Sequence, residues 1–167
     1  AKNGDFGDRA FSVMPGIIDS YERFEFQAEQ DGQAKGLKRP VYAKGSGPGV
    51  VIFHEINGMT PECVRLAERI REKGYRVYLP LFFGKPEKAT AVRGWVRVCI
   101  RSEFGGWVKG KSSPLANWER ELSSRVFAEC GGRGVGAIGM CLTGNFALTM
   151  MLDESMRAPV LCQPALP

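Results

Sequence analysis

The sequence predicts an α/β domain, with an N-terminal hairpin followed by a mostly parallel sheet covered by helices on both faces. Three observations carry this. Residues 22–30 alternate in polarity and a turn-forming Asp31-Gly32 leads to a second extended stretch at 38–43, the pattern of an antiparallel hairpin. From Gly49 onward, short continuous apolar runs alternate with segments of helical period, which specifies parallel strands joined by crossover helices. The 167 residues suit one domain, with an apolar fraction of 44% and a charged fraction of 25%, close to an average soluble protein.

The elements follow in order. The first twenty residues, rich in Gly and Asp, are expected to be an arm, and residues 21–167 the domain. Val50-Val51-Ile52-Phe53 reads as a strand buried on both faces. Thr60 is placed to cap a helix opened by Pro61, with Val64, Ala67 and Ile70 on its apolar face and Gly74 as its stop. Residues 75–79 form the next strand, ended by Pro80. Residues 89–104 read as a helix burying Val92, Val96, Cys99 and Ile100, and residues 110–114 as a loop. Asn117 can cap a further helix with Trp118, Leu122, Val126 and Cys130 on one stripe, stopped by Gly131-Gly132. Residues 135–138 are a strand, 144–152 a helix and 159–162 the start of another strand.

Composition narrows the setting. The five cysteines lack the regular spacing of a disulfide scaffold, no C-x-x-C pair suggests zinc, and His54 is the only histidine. This favours free thiols in a reducing, cytoplasmic compartment, with no metal and no cofactor. No run approaches the ~20 apolar residues that span a bilayer, so no membrane role is expected. The net charge of +5 is concentrated between Lys85 and Lys111, where seven basic residues face two acidic ones. A nucleic-acid binder would more often combine such a patch with exposed aromatics and further basic stretches, so this patch suits an anionic small molecule better than a nucleic acid.

The chemistry centres on Val135-Gly136-Ala137-Ile138-Gly139-Met140-Cys141-Leu142-Thr143-Gly144. A nucleophile-type residue stands between a buried strand and a helix, as in the G-x-S-x-G elbow, with Cys in place of Ser. Small neighbours permit a strained turn, and the helix N-terminus behind it offers unsatisfied N–H groups and partial positive charge, both favouring a thiolate. On these residues alone, a small buried hydrophobic cysteine is an equal alternative. A second motif, His54-Glu55-Ile56-Asn57-Gly58, follows the first buried strand. In an α/β-hydrolase sheet that strand neighbours the nucleophile strand. The N–H groups of Ile56 and Leu142 would then form an oxyanion hole.

Together these stretches resemble the dienelactone hydrolases, cysteine members of the α/β-hydrolase fold that open cyclic esters. The matching blocks are Glu55-Ile56-x-Gly58, Gly74-Tyr75 with Pro80-x-x-Phe83, and Gly139-x-Cys141-Leu142-x-Gly144, within residues 48–165. The resemblance implies Cys141 as nucleophile, Glu55 as its resting-state contact, and Arg101 as the holder of a substrate carboxylate. Arg93 and Arg97, at helical spacing from Arg101, read as a solvated basic face. The implied substrate is a small ester or lactone, carboxylate-bearing ones included, hydrolysed through an acyl-cysteine.

The chain departs from the family in three places. Thr143 stands where relatives usually carry glycine, and Leu81 where many carry an acid. Only 26 residues follow Cys141, with no histidine among them, and Asp153 and Glu154 fall at the end of the elbow's own helix. The family's acid and base cannot be completed, so the chain is expected to be a C-terminally truncated domain lacking the last strands and helices. Its activity would be impaired, and an open strand edge would favour homo-oligomers. His54 reads as a structural, loop-orienting histidine rather than a replacement base. Two rival roles stand beside the hydrolase: a binding domain that keeps the pocket, and a redox-active thiol protein, for which no resolving cysteine is evident beside Cys141.

Overall fold

The computed structural model describes residues 16–29, 36–89, 114–144, 147 and 150–163. They build one six-stranded sheet in the order β1-β2-β4-β3-β5-β6. The strands are β1 (Glu22–Gln27), β2 (Lys38–Lys44), β3 (Gly49–Phe53), β4 (Arg76–Pro80), β5 (Val135–Met140) and β6 (Met156–Cys162). β1 pairs with β2, and β2 with β4, antiparallel. β4, β3, β5 and β6 are mutually parallel. The hairpin and the parallel sheet are therefore as the sequence predicts; the Asp31-Gly32 turn lies outside the described residues.

Among the described residues two α-helices clasp the sheet. α1 (Pro61–Glu72) starts where the hydroxyl of Thr60 accepts the N–H of Cys63 at 3.4 Å, with Pro61 in the first turn. Pro is tolerated there because its missing N–H would have had no partner within the helix. The chain leaves at Gly74, whose φ of +87° suits a residue without a Cβ. α2 (Pro114–Glu129) begins three residues before the predicted cap at Asn117, and Pro114 opens the helix instead of closing a loop. The same reasoning about proline at a first turn explains the difference. The helix predicted at 89–104, with Arg93, Arg97 and Arg101, lies outside the described residues.

Each face of the sheet carries its own core. Val51, Phe53, Tyr78 and Ala137 pack with Trp118, Leu122 and Val126 of α2. Val50, Ile52, Val77 and Leu79 pack with Cys63, Val64 and Ala67 of α1. Alternate residues of β3 thus serve opposite cores, and all five of its residues are buried, which is why its sequence is continuously apolar. Trp118 donates its indole N–H to the carbonyl of Phe26 at 3.1 Å and anchors α2 to β1.

Ile17–Ser20, the last part of the segment read as an arm, forms a 3-10 turn. Ile18 is buried against the α1-side core. The N–H groups of Ile17 and Ile18 donate to the Glu87 carboxylate at 3.0 and 3.1 Å. At the other end, β6 starts at Met156, earlier than predicted, and runs through Pro159. Proline lacks a ladder donor and is admitted in edge strands; β6 is the last strand of the sheet among the described residues.

Candidate active site

The site is assembled where β3 and β5 end side by side. Their parallel register pairs Val51 with Ala137, Ile52 with Ile138 and Phe53 with Gly139. Glu55 and Cys141 each lie two residues beyond the last pair, so the two segments leave the sheet at the same height.

Cys141 adopts φ = +56°. This left-handed conformation costs a residue with a Cβ about 1–2 kcal/mol and persists only where the surroundings enforce it. Gly139 is one such surrounding: a Cβ there would collide with the carbonyl oxygen of Thr143 and lie 2.8 Å from the Cα of Gly144. Cys141–Thr143 form a 3-10 turn, the N–H of Gly144 donates to the carbonyl of Cys141, and Gly144 has right-handed helical angles. Strand, strained cysteine and tight turn together have the backbone form in which a nucleophile elbow is built.

Thr143, the departure from the family pattern, is buried and holds this elbow. Its Oγ1 accepts the N–H of Met140 at 2.9 Å and lies 2.8 Å from the carbonyl of Met140 and 3.1 Å from that of Phe53. Its hydroxyl ties the turn after β5 to the end of β3.

On the β3 side, Glu55-Ile56-Asn57-Gly58 makes a tight turn closed by the N–H of Gly58 donating to the carbonyl of Glu55 at 2.9 Å. Gly58 has φ = +91°. That closing bond leaves the N–H of Ile56 unused within the turn. His54 orients the same loop. Its Nδ1 lies 2.8 Å from the Glu55 carbonyl, and its Nε2 accepts the N–H of Phe82 at 3.1 Å. A backbone N–H can only donate, so Nε2 is the acceptor and Nδ1 carries the proton. Both nitrogens are occupied in the neutral form, and burial pushes the histidine's pKa down to about 4. The ring is boxed by Phe83 and Phe82, with centroids at 4.8 and 5.5 Å. This histidine holds a loop and has no free nitrogen with which to take a proton from Cys141.

Glu55 is exposed and lines a cleft of about 360 Å³ with Asn57, Thr60, Glu62, Cys63 and Met140. Among the described residues no hydrogen bond joins Glu55 to the thiol of Cys141; their proximity rests on strand register. Cys63, on the same cleft, is buried, and burial, with the Glu55 charge adding to it, pushes its thiol up to about 12. It is therefore a poor nucleophile near neutral pH. Cys141 itself is half-buried. The backbone of Leu142 lies in the turn directly after the nucleophile position, as an oxyanion donor requires. Arg101 lies outside the described residues.

Asp153 is spent elsewhere. Its carboxylate accepts the N–H and hydroxyl of Ser155 at 2.8 and 2.6 Å. That turn precedes β6 at the end where Met156 pairs with Val135. The elbow is at the opposite end of β5, roughly 20 Å away at about 3.3 Å per residue. Thr143 stood out in the sequence only as a departure, and Cys162, although inside the strand read at 159–162, gains its place opposite Met140 only through strand register.

A strand order of 1-2-4-3-5-6 with a strained residue after β5 defines an α/β-hydrolase fold. Comparison with known proteins agrees: the dienelactone hydrolase family model matches residues 37–161. The chain belongs to the dienelactone hydrolase family. It is 28% identical over 122 residues to a candidate carboxymethylenebutenolidase of Saccharomyces cerevisiae, covering 68% of this chain and 42% of that protein. A candidate dienelactone hydrolase of Klebsiella pneumoniae superposes with a TM-score of 0.61 at 17% identity, over 89% of this chain and 62% of that one. A dienelactone hydrolase-like promiscuous phosphotriesterase from metagenomic libraries gives 0.54 at 20% identity, over 78% and 53%. The chain thus spans less than two thirds of the length of each. No helix among the described residues is long and apolar enough to cross a membrane.

Proposed function

We propose that this chain is the nucleophile-bearing part of a carboxylic ester or lactone hydrolase that works through an acyl-cysteine. The observation that carries the reading is the left-handed backbone of Cys141 at the end of β5, a strained conformation at a sheet end of the kind that presents a nucleophile. The sulfur of Cys141, as thiolate, attacks the ester carbonyl carbon. The C=O π pair moves onto oxygen, where the N–H groups of Ile56 and Leu142 receive it. Collapse expels the alkoxide, which takes up a proton and leaves as the alcohol, and the acyl group remains on sulfur as a thioester. Water then cleaves the thioester to the acid and the free thiol. Glu55 stands on the cleft beside this centre and manages the thiol's proton, while Arg101 receives a substrate carboxylate.

The second half of this cycle is the weak one in these 167 residues. His54 has both nitrogens engaged, and no other histidine exists in the sequence. Triad members act as a unit, and loss of one costs several orders of magnitude in turnover. The expected behaviour is acylation without efficient deacylation.

An aryl acetate tests this directly. Intact mass should show one acetyl group per chain, mapped to Cys141, with release of about one equivalent of phenol and little steady-state turnover. If Cys141 stays unmodified by the acetate and by iodoacetamide near neutral pH, the acyl-cysteine reading is wrong. Unmodified Cys141 with retained affinity for small carboxylates would favour the binding-domain alternative.

A further inference from the structure

From the strand register we infer that Cys162 is a resolving thiol for Cys141, so that a hydroperoxide converts the elbow into a reversible Cys141–Cys162 disulfide. The inference rests on the proposed reactivity of Cys141 and adds a modification site to it.

The geometry comes from β5 and β6. These strands are parallel neighbours, with Gly139 opposite Leu161 and Met140 opposite Cys162. Cys162 is therefore one strand spacing, about 4.8 Å, from the residue that immediately precedes Cys141. With consecutive Cα atoms about 3.8 Å apart, a step from Met140 roughly along the strand puts the two cysteine Cα atoms about 6 Å apart, within the span that a disulfide bridges. In a parallel ladder, register partners project to the same face, so Cys162 shares the α1 face with Met140, which packs partly against that core. Both thiols are free and half-buried, accessible to a small oxidant without being part of a packed core.

The other cysteines among the described residues are worse partners. Cys63 lies on α1, nearly enclosed, with its thiol pushed up to about 12, so it supplies almost no thiolate to attack a sulfenic acid. Cys130 follows α2 beyond the other face of the sheet, with its sulfur 3.6 Å from the hydroxyl of Tyr78.

The chemistry balances in two steps. The Cys141 thiolate attacks the peroxide; an S–O bond forms, the O–O bond breaks, and two electrons pass from sulfur to the departing oxygen, which leaves as water after protonation. The product is a sulfenic acid. The Cys162 sulfur then attacks that sulfenic sulfur; the S–S bond forms, the S–O bond breaks, and the hydroxide released takes the Cys162 proton to leave as a second water. The disulfide shields Cys141 from further oxidation to a sulfinic acid, which ordinary thiols cannot reverse.

The test is oxidation of the reduced full chain with about one equivalent of hydrogen peroxide, alkylation of the remaining thiols, and peptide mapping by mass spectrometry. The expected result is loss of two free thiols per chain, one linked Cys141–Cys162 peptide pair, and full recovery with dithiothreitol. In Cys162→Ser, and in Cys162→Ala should serine disturb β6, Cys141 should instead trap dimedone and proceed to the sulfinic acid, which dithiothreitol does not reverse. Oxidation of Cys141 to sulfinic acid in the unaltered chain with Cys162 still free overturns the inference, as does pairing of Cys141 with Cys63 or Cys99. A Cys141 acylated by aryl acetate that never engages Cys162 overturns this inference alone. A Cys141 inert to ester, alkylator and peroxide overturns the acyl-cysteine reading with it.

Discussion

The hydroxyl oxygen of Thr143, in the elbow, lies 3.1 Å from the carbonyl oxygen of Phe53, the last residue of β3. This contact spans ninety residues of sequence and joins the turn that carries the candidate nucleophile to the strand that leads into the candidate oxyanion loop. A glycine at position 143 would leave the Phe53 carbonyl and the Met140 N–H without this partner.

Thr143→Val keeps the shape and removes the hydroxyl, so the Met140 N–H loses its Thr143 acceptor. A loss of about 1–3 kcal/mol in unfolding free energy is expected, measured by urea titration. Thr143→Ser should retain most of it. The Val variant should also alkylate at Cys141 at a changed rate, because the elbow loses its tether; an unchanged stability and rate would show that the hydroxyl does not hold the turn.

His54 sets a pH dependence whose sign follows from its burial. In the folded chain its pKa is lowered from 6.5 to about 4. The unfolded chain therefore binds more protons between those values. The associated stability is present above pH ~6.5 and lost as pH falls towards ~4, by about 3 kcal/mol in all. The slope of urea midpoints over that window should flatten in His54→Gln, which cannot titrate. The same variant should leave alkylation of Cys141 near neutral pH within about twofold, since His54 reaches Cys141 only through the loop. A large drop in alkylation at full stability would return His54 to the role of base.

Glu119 of α2 gives the opposite slope. Among the described residues its carboxyl and the hydroxyl of Ser123, one turn on, are fully buried and have no hydrogen-bond partner. Burial raises the Glu119 pKa well above the usual carboxylate range, and the neighbouring Arg120 charge only partly opposes this. The fold thus favours the protonated form of this acid. Stability is complete below the ordinary carboxylate range and falls as pH rises through the raised value. Glu119→Leu should be more stable than the unaltered chain on the alkaline side, by about 1–3 kcal/mol, with a smaller difference in acid. Thermal melts at several pH values would read this, and a variant less stable throughout would show that the carboxyl finds a partner in solution.

Most of the fold was legible because its signals are local. The unbroken apolar run of β3 marks burial on both faces, Thr60-Pro61 marks a helix start, and the stripe of Trp118, Leu122 and Val126 marks the face that meets the sheet. Boundaries were less secure where one residue type permits two roles. Pro114 could end a loop or open a helix, and Pro159 could begin a strand or sit within an edge. At the site, the Gly139-x-Cys141 spacing announced a tight turn, since only small neighbours tolerate it. The role of His54 was visible only as an exclusion, because its partners, the Glu55 carbonyl and the Phe82 N–H, are backbone groups without a sequence signature.

The sequence by itself determined which segments become strands and helices, where the elbow must fall, and which cysteine it would present. These follow from periodicity, turn chemistry and the steric demands of single residues. The tertiary structure alone decided what stands beside that cysteine. Strand order and register, fixed by the burial of both sheet faces, brought the end of β3 against β5, turned Thr143 from a departure into a tether, and set Cys162 one strand away from Met140. Such neighbours depend on contacts between residues far apart in the chain, and no local pattern encodes them.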